Sequence, residues 1–430
     1  MVNILIGGIP FIVVLYLIYF RKQHSSNNIL IVLIFLSYMV FATNYENYGL
    51  NFDLYRYIHK SIGVLVSLSL IYFCFKNGFD VIKNKISIFI ALYLGVICLS
   101  YFGNDLYLPH YILYVKNFVF ISFIMLFINY KIENQENLNE LFKFIIHMTL
   151  ILSSFVILEL ILIGGFTRIF LFYPNPNYLA VSLMFGFSIL LFSELKFKFL
   201  KIVLVISAIL LTGSRAIELG VVILLLLFLF KNREKIKIKY ILYVFIFFAV
   251  IFGFFLEKIP GVKESSKQYN KSNIINIINT DKGRGNIRHA LGKITFHMLG
   301  ENPINGIGYG QFRTKYSHYV DEEIINMNIS ELNIKVAKSE ELMSHNDLFQ
   351  IISELGLLGL FFILFYLYHL YYMLKQLIIS NKDYFYISIS LLVGSLTFSM
   401  FHNNITSFVF WFILFVPFIM NKLCENKAYR

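Results

Sequence analysis

The chain has 430 residues, of which 58% are hydrophobic and only 14% charged, and its formal charge is +12. Soluble domains carry roughly 25% charged residues, so the composition excludes an ordinary soluble domain and predicts an all-α, polytopic transmembrane helix bundle. The positive balance does not point to nucleic acid. Its Lys and Arg sit mostly in short connections between apolar runs, where the positive-inside rule places them.

Taking ~20 residues as the spanning length, about 12–13 spans are predicted. Their limits fall at 3–20, 28–44, 60–75, 86–102, 110–129, 144–163, 176–194, 199–213, 216–230, 240–256, 348–374, 384–401 and 404–420. The first run begins without a basic n-region or small-residue cleavage site, so it reads as a retained span rather than a signal peptide. Cys74, Cys98 and Cys424 have neither a disulfide-framework nor a zinc-site spacing. Lysines recur in alternate connections, at 76–85, 131–143, 196–201, 231–239, 375–382 and 422–427. That set is read as cytoplasmic, which places the long connection on the opposite side. Three regions follow: an N-terminal transmembrane bundle at 1–256, a large extracytoplasmic (periplasmic-side) loop containing short helices at 257–347, and C-terminal transmembrane helices with a cytoplasmic tail at 348–430. The expected location is a membrane crossed many times.

The front of the long loop, KESSKQYNKSNIINIINTDKGRGN, is polar and poorly patterned, and the loop reads as a cap on the bundle rather than an independent fold. Within it, Ile287, Ala290, Leu291, Ile294 and Met298 recur at helical spacing and predict a helix over 284–299. Asn302-Pro303 and the glycines of NGIGYG then predict a turn-rich connection.

Several residues on that side carry candidate chemistry. Arg284 and Arg288 are i and i+4, so they share a helix face, and paired guanidiniums there suit a phosphate or diphosphate. Two solvated surface arginines are the bland alternative. LLTGSRAIELG places Arg215 in a very short connection between apolar runs, where an arginine needs a partner or ligand. Glu218, three residues on, is the structural partner to weigh against a ligand. His345 stands in SHNDLFQ, where a polar turn meets an apolar helix at the membrane boundary. A histidine there is often only a capping or surface residue, but this one also offers a base for an incoming hydroxyl. In YPNPNYLA at 173–180, Pro suits a first helical turn, and Asn177 serves either as a cap or as a ligand for sugar hydroxyls. Gly306, Gly308 and Gly310 follow no strand and carry no dinucleotide fingerprint. His289, His297 and His318 lack metal-ligand spacing, and no DxD-like pair occurs on an outer loop, so neither a metal nor a cofactor is expected.

At four of these places the chain resembles the O-antigen ligase and Wzy-type polysaccharide polymerase family. They are TGSR at 212–215, NPN at 175–177, GR at 283–284 followed by NPINGIGYGQF at 302–312, and SHNDLFQIISELGLLG at 344–359. The resemblance covers about residues 170–375 in matching order. It implies a metal-independent glycosyltransferase, without cofactor, whose donor is a glycan on undecaprenyl diphosphate. It further implies that Arg215 and Arg284 hold the diphosphate and that His345 is catalytic. Arg288 stands where family members often have an aromatic residue, so its part in diphosphate binding rests on the helix geometry alone. Asn175, Asn177, Glu218 and Asn346 are expected as supporting or acceptor-binding residues. The expected activity is polymerisation onto a lipid-linked repeat unit, with a flippase and a chain-length regulator as partners besides membrane lipid. Two alternatives remain open. One is ligation to lipid A-core. The other, of a different class, is transport of lipid-linked glycans along a polar path drawn from Lys116, His147, Glu159 and Glu218.

Overall fold

A computed structural model describes residues 83–163, 176–233, 282–327, 340–405 and 407–428, together with isolated positions near 72–78, 169–171 and 329–338. The spans expected at 3–20, 28–44, 60–75 and 240–256, and the polar front of the long loop, lie outside the described residues or at their margin.

The described residues are helical and contain no strand. The membrane helices are α1 (Lys85–Leu99), α2 (Leu108–Lys131), α3 (Gln135–Ile163), α4 (Pro176–Phe192), α5 (Lys198–Thr212) and α6 (Arg215–Lys231) before the long loop, and α10 (Asp347–Ser380), α11 (Lys382–Ser399) and α12 (Phe408–Ala428) after it. The loop contributes α7 (Lys282–Glu301), the single turns α8 (Phe312–Lys315) and α9 (Glu322–Asn326), and a short 3-10 turn at Tyr316–Tyr319. Among the described residues, four helices are long and apolar enough to cross a membrane: Leu108–Lys131, Gln135–Leu162, Asp347–Ser380 and Phe408–Glu425. The protein is thus an all-α membrane helix bundle. The expected spans at 199–213 and 216–230 appear as helices of 15 and 17 residues, shorter than the ~20 residues that cross a bilayer upright.

α11 packs against α4, α6, α10 and α12, while α10 also contacts α1, and α12 contacts α2. α4 is enclosed almost completely; every residue from Leu179 to Phe192 is buried. Aromatic rings fill the seam between the two groups of helices. Tyr93 lies 4.7 Å from Phe118, 4.8 Å from Phe362 and 4.9 Å from Trp411.

Polar contacts tie the elements together at both ends of the bundle. At one end Lys85 pairs with Glu425 at 3.4 Å, Lys231 with Asp383 at 2.5 Å, and the Lys422 ammonium donates to the Asn129 carbonyl at 2.6 Å. At the other, the connection between α1 and α2 meets the long loop: the Asn104 amide donates to the Gly306 carbonyl at 3.0 Å, and the Tyr107 N–H donates to Gln311 at 2.7 Å.

The long loop is more than a polar cap. Ile287, Ala290, Leu291, Ile294 and Met298, the five residues whose spacing predicts α7, are all buried. They join Ile307, Phe312, Tyr316, Ile324, Ile329, Leu332 and Leu342 in a second apolar core, separate from that of the bundle. The sequence hides this core because its members beyond α7 are spread over three short turns and the connections between them.

Candidate functional site at the loop end of the bundle

α10 begins where the SHND motif ends. Asn346 caps it, its side-chain oxygen accepting from the N–H groups of Leu348 at 2.9 Å and Phe349 at 3.2 Å. Two orphan donors of the first turn are thereby satisfied. Asp347 occupies the first turn, where a carboxylate suits the positive end of the helix dipole. Its Oδ1 accepts from the N–H groups of Asn404 at 2.7 Å and Ile405 at 2.9 Å, so the connection between α11 and α12 is tied down on the start of α10.

His345 precedes the cap and is half-buried. Its φ is +53°, a left-handed conformation that a residue with a Cβ adopts at a cost of roughly 1–2 kcal/mol. The neighbours hold it there. The His345 N–H donates to Asn403 Oδ1 at 2.8 Å. Asn403 Nδ2 donates to Ser344 Oγ at 2.8 Å and to Gln350 Oε1 at 2.6 Å. Ser344 Oγ in turn donates to the Asn346 carbonyl at 2.9 Å.

The network continues into the glycine-rich loop. Gln350 Nε2 donates to the Glu354 carboxylate at 3.2–3.3 Å. Glu354 is fully buried and accepts from the N–H groups of Gly310 at 2.9 Å and Phe312 at 3.1 Å. Two residues later α10 breaks: Gly356 has φ 59° and ψ −148°, a conformation essentially limited to glycine. The loop fills the break with its own backbone. The N–H groups of Ile307 and Gly308 donate to the carbonyls of Ser353 and Glu354 at 2.9 and 3.1 Å, and those of Leu357 and Leu358 donate to the carbonyls of Pro303 and Ile304 at 2.8 and 3.2 Å. A Cβ at Gly306 would meet the Glu354 backbone at 2.4 Å, and one at Gly356 would meet the Ile304 carbonyl at 2.5 Å. NPINGIGYG is therefore a splice into α10, which is why it matches no phosphate-binding pattern. It also buries Tyr309 edge-on against Tyr93 and Tyr114, with ring centroids 6.1 and 5.6 Å apart. Burial, and then the Glu354 carboxylate, push the Tyr309 phenol well above its ordinary range, so it stays neutral.

The other expected site residues fall as follows. Arg288 stands on α7 with its guanidinium 5.1 Å from the centre of the Phe401 ring. Phe401 is two residues from the Asn403 that holds His345, so one connection receives both Arg288 and His345. Arg284 lies in the first turn of α7, where the backbone alone is described; Asn175 lies outside the described residues. α4 starts at Pro176, the position Pro favours, with Asn177 next. Tyr178 follows, 6.1 Å from Phe398, whose ring stacks on His402 at 4.8 Å. Arg215 opens α6 and is exposed; Glu218 is half-buried one turn on. Gly213, at φ 59°, turns the chain between α5 and α6. A Cβ at Gly220 of α6 would lie 3.6 Å from Thr397 near the end of α11, which places the start of α6 at the same end of the bundle as the His345 turn. An arginine at a helix start is repelled by the dipole, whereas an anion bound there gains from both.

Sequence reasoning passed over Asn403, Gln350 and Glu354. One signal was present: HNN at 402–404 repeats the polar character of HND at 345–347, in a connection between two apolar helices that needs no such residues.

Fold and site together define a membrane protein whose polar groups gather at one end of a helix bundle, under a loop built into that bundle. Residues 200–364 match the family model described as O-antigen ligase, so the chain carries a domain of the O-antigen ligase and Wzy-type family, and the matched span holds Arg215, Arg284, Arg288 and His345. No curated protein matches the chain. The domain gives the broad class: a membrane enzyme of the ligase and polymerase type that handles lipid-linked glycans.

Proposed function

We propose that the chain is a polysaccharide polymerase, a Wzy-like glycosyltransferase, acting on the extracytoplasmic face of a bacterial inner membrane. It transfers a growing glycan from undecaprenyl diphosphate to the non-reducing-end hydroxyl of a lipid-linked repeat unit. His345 takes the proton from that hydroxyl as its oxygen attacks the anomeric carbon. The bond from that carbon to the diphosphate oxygen breaks, and the lipid diphosphate leaves with its electron pair. Arg215, Arg284 and Arg288 hold the charge that develops on it. Asn175, Asn177 and Asn346 offer amides to sugar hydroxyls, and Glu218 orients Arg215. The observation that carries the reading is the connection at 401–405, which grips His345 through Asn403 and receives the Arg288 guanidinium on Phe401. Lys116 and His147 are exposed on the outside of α2 and α3 while Glu159 is buried, an arrangement that supports an enzyme over a transporter with a polar path.

Ligation to lipid A-core is the second reading, favoured by the match to a family model described as O-antigen ligase. Purified protein given synthetic undecaprenyl-diphosphate repeat units, alone or with lipid A-core, separates the two. Polymerisation yields a ladder of lipid-linked products without the core acceptor; ligation yields product only with it. His345→Ala is expected to lower either rate by about 10²–10⁴-fold, the usual contribution of a general base, with the protein still accumulating in the membrane. Wild-type rates in that variant would remove the catalytic assignment.

A further inference from the structure

We infer that Asn403 is a positioning residue for His345, acting on the main chain of the turn; the inference rests on the proposed role of His345 as base. Asn403 comes from the connection between α11 and α12, 58 residues beyond the histidine, outside the span that matches the family model. Its amide does two opposite things at once. Oδ1 accepts from the His345 N–H at 2.8 Å, while Nδ2 donates to Ser344 Oγ at 2.8 Å and to Gln350 Oε1 at 2.6 Å. The residues before and after the histidine are thus held by one side chain, whose own backbone is anchored by the Asn404 and Ile405 bonds to Asp347.

This grip matters because His345 sits at φ +53°. A residue with a Cβ stays left-handed only when its surroundings over-determine it. With the acceptor removed, rotation about φ toward negative values relieves the backbone and swings the Cα–Cβ bond, carrying the imidazole with it. A displacement of about 1 Å at a catalytic group costs about 10²-fold in rate. The bonds run to the main chain of 345 and to its neighbours, so the effect falls on the direction of the imidazole. Asn403 makes none of its side-chain bonds to Arg288, whose guanidinium packs on Phe401, so the effect is expected in turnover more than in donor binding.

The test is a double-mutant cycle on full-length protein with undecaprenyl-diphosphate repeat units. Asn403→Ala is expected to lower kcat by about 10–100-fold with KM for the donor little changed. His345→Ala combined with Asn403→Ala is expected to be no slower than His345→Ala alone, because a residue acting through another adds nothing once that other is gone. Asn403→Ser, too short to reach the His345 amide, enters the same cycle if the alanine variant accumulates poorly. Wild-type turnover in Asn403→Ala while His345→Ala is inactive overturns the positioning role and leaves the proposed function standing. Multiplicative losses in the double variant also overturn it, since Asn403 would then act independently of the histidine. Full activity of His345→Ala overturns both.

Discussion

Arg215, Arg284 and Arg288 make a sharper demand on side-chain type than on charge. A guanidinium presents a planar fork that grips two oxygens, whereas an ammonium is a point charge. Arg215→Lys and Arg284→Lys are each expected to slow transfer by tenfold or more, since hydrogen bonds to charged groups contribute roughly 1.5–3 kcal/mol. Wild-type rates for both lysine variants, with lipid-linked repeat units, would sink the bidentate grip. Arg288→Ala is expected to be milder. Its packing on Phe401 contributes about 0.5–1 kcal/mol at an exposed position. Much of this site is legible in the sequence, because Arg215 and His345 stand in polar words between apolar runs. Asn403 is legible only as one polar residue of HNN at 402–404; its role is not, because the main-chain N–H it accepts from lies 58 residues away.

Among the elements, α7 and α10 contrast. α7 is readable from end to end: five apolar positions at helical spacing, all buried. α10 is readable only in part. Its apolar length predicts a helix, but ELGLLG at 354–359 gives no sign of a break, because a glycine inside a helix costs only about 1 kcal/mol. The break depends on backbone groups of 303–308, which no local propensity registers. Gly356→Ala is therefore expected to destabilise far beyond a helix-interior substitution. The left-handed conformation alone costs about 1–3 kcal/mol, and the new Cβ lies 2.5 Å from the Ile304 carbonyl. A thermal melt of detergent-solubilised protein checks this; an unchanged midpoint would mean that the splice yields easily. Gly359→Ala is no substitute control, since a Cβ there meets Leu355 and Ile351 within 3 Å. Gly300→Ala is, because a Cβ there meets nothing within 4 Å.

At the scale of the whole molecule, the division of contacts between two ends makes topology testable. In a chain with Cys74 and Cys98 replaced by serine, Ser317→Cys is expected to react with an impermeant thiol reagent in intact spheroplasts, and Cys424 is not. The short-connection lysines lie on the Cys424 side, and Cys424 sits three residues from Asn421, near Lys422 and its contact with the end of α2. Labelling of Cys424 alone would invert the orientation. In the expected orientation the His345 turn is set apart from cytoplasmic nucleotide sugars. Activity is accordingly expected to persist in EDTA, with arginines stabilising the leaving group; loss that a divalent ion restores would reveal a metal requirement.

The splice at Gly356 also has a consequence for biogenesis. Four backbone groups of α10, the carbonyls of Ser353 and Glu354 and the N–H groups of Leu357 and Leu358, are bonded to backbone groups of 303–308. The ribosome makes that segment first, before α10 has emerged. An unpaired backbone group in hydrocarbon costs several kcal/mol. Insertion of α10 is therefore expected to be coupled to docking of the earlier loop, with 303–308 kept available until its partner arrives. The helix that carries the SHND turn and the roof above it are thus expected to settle together.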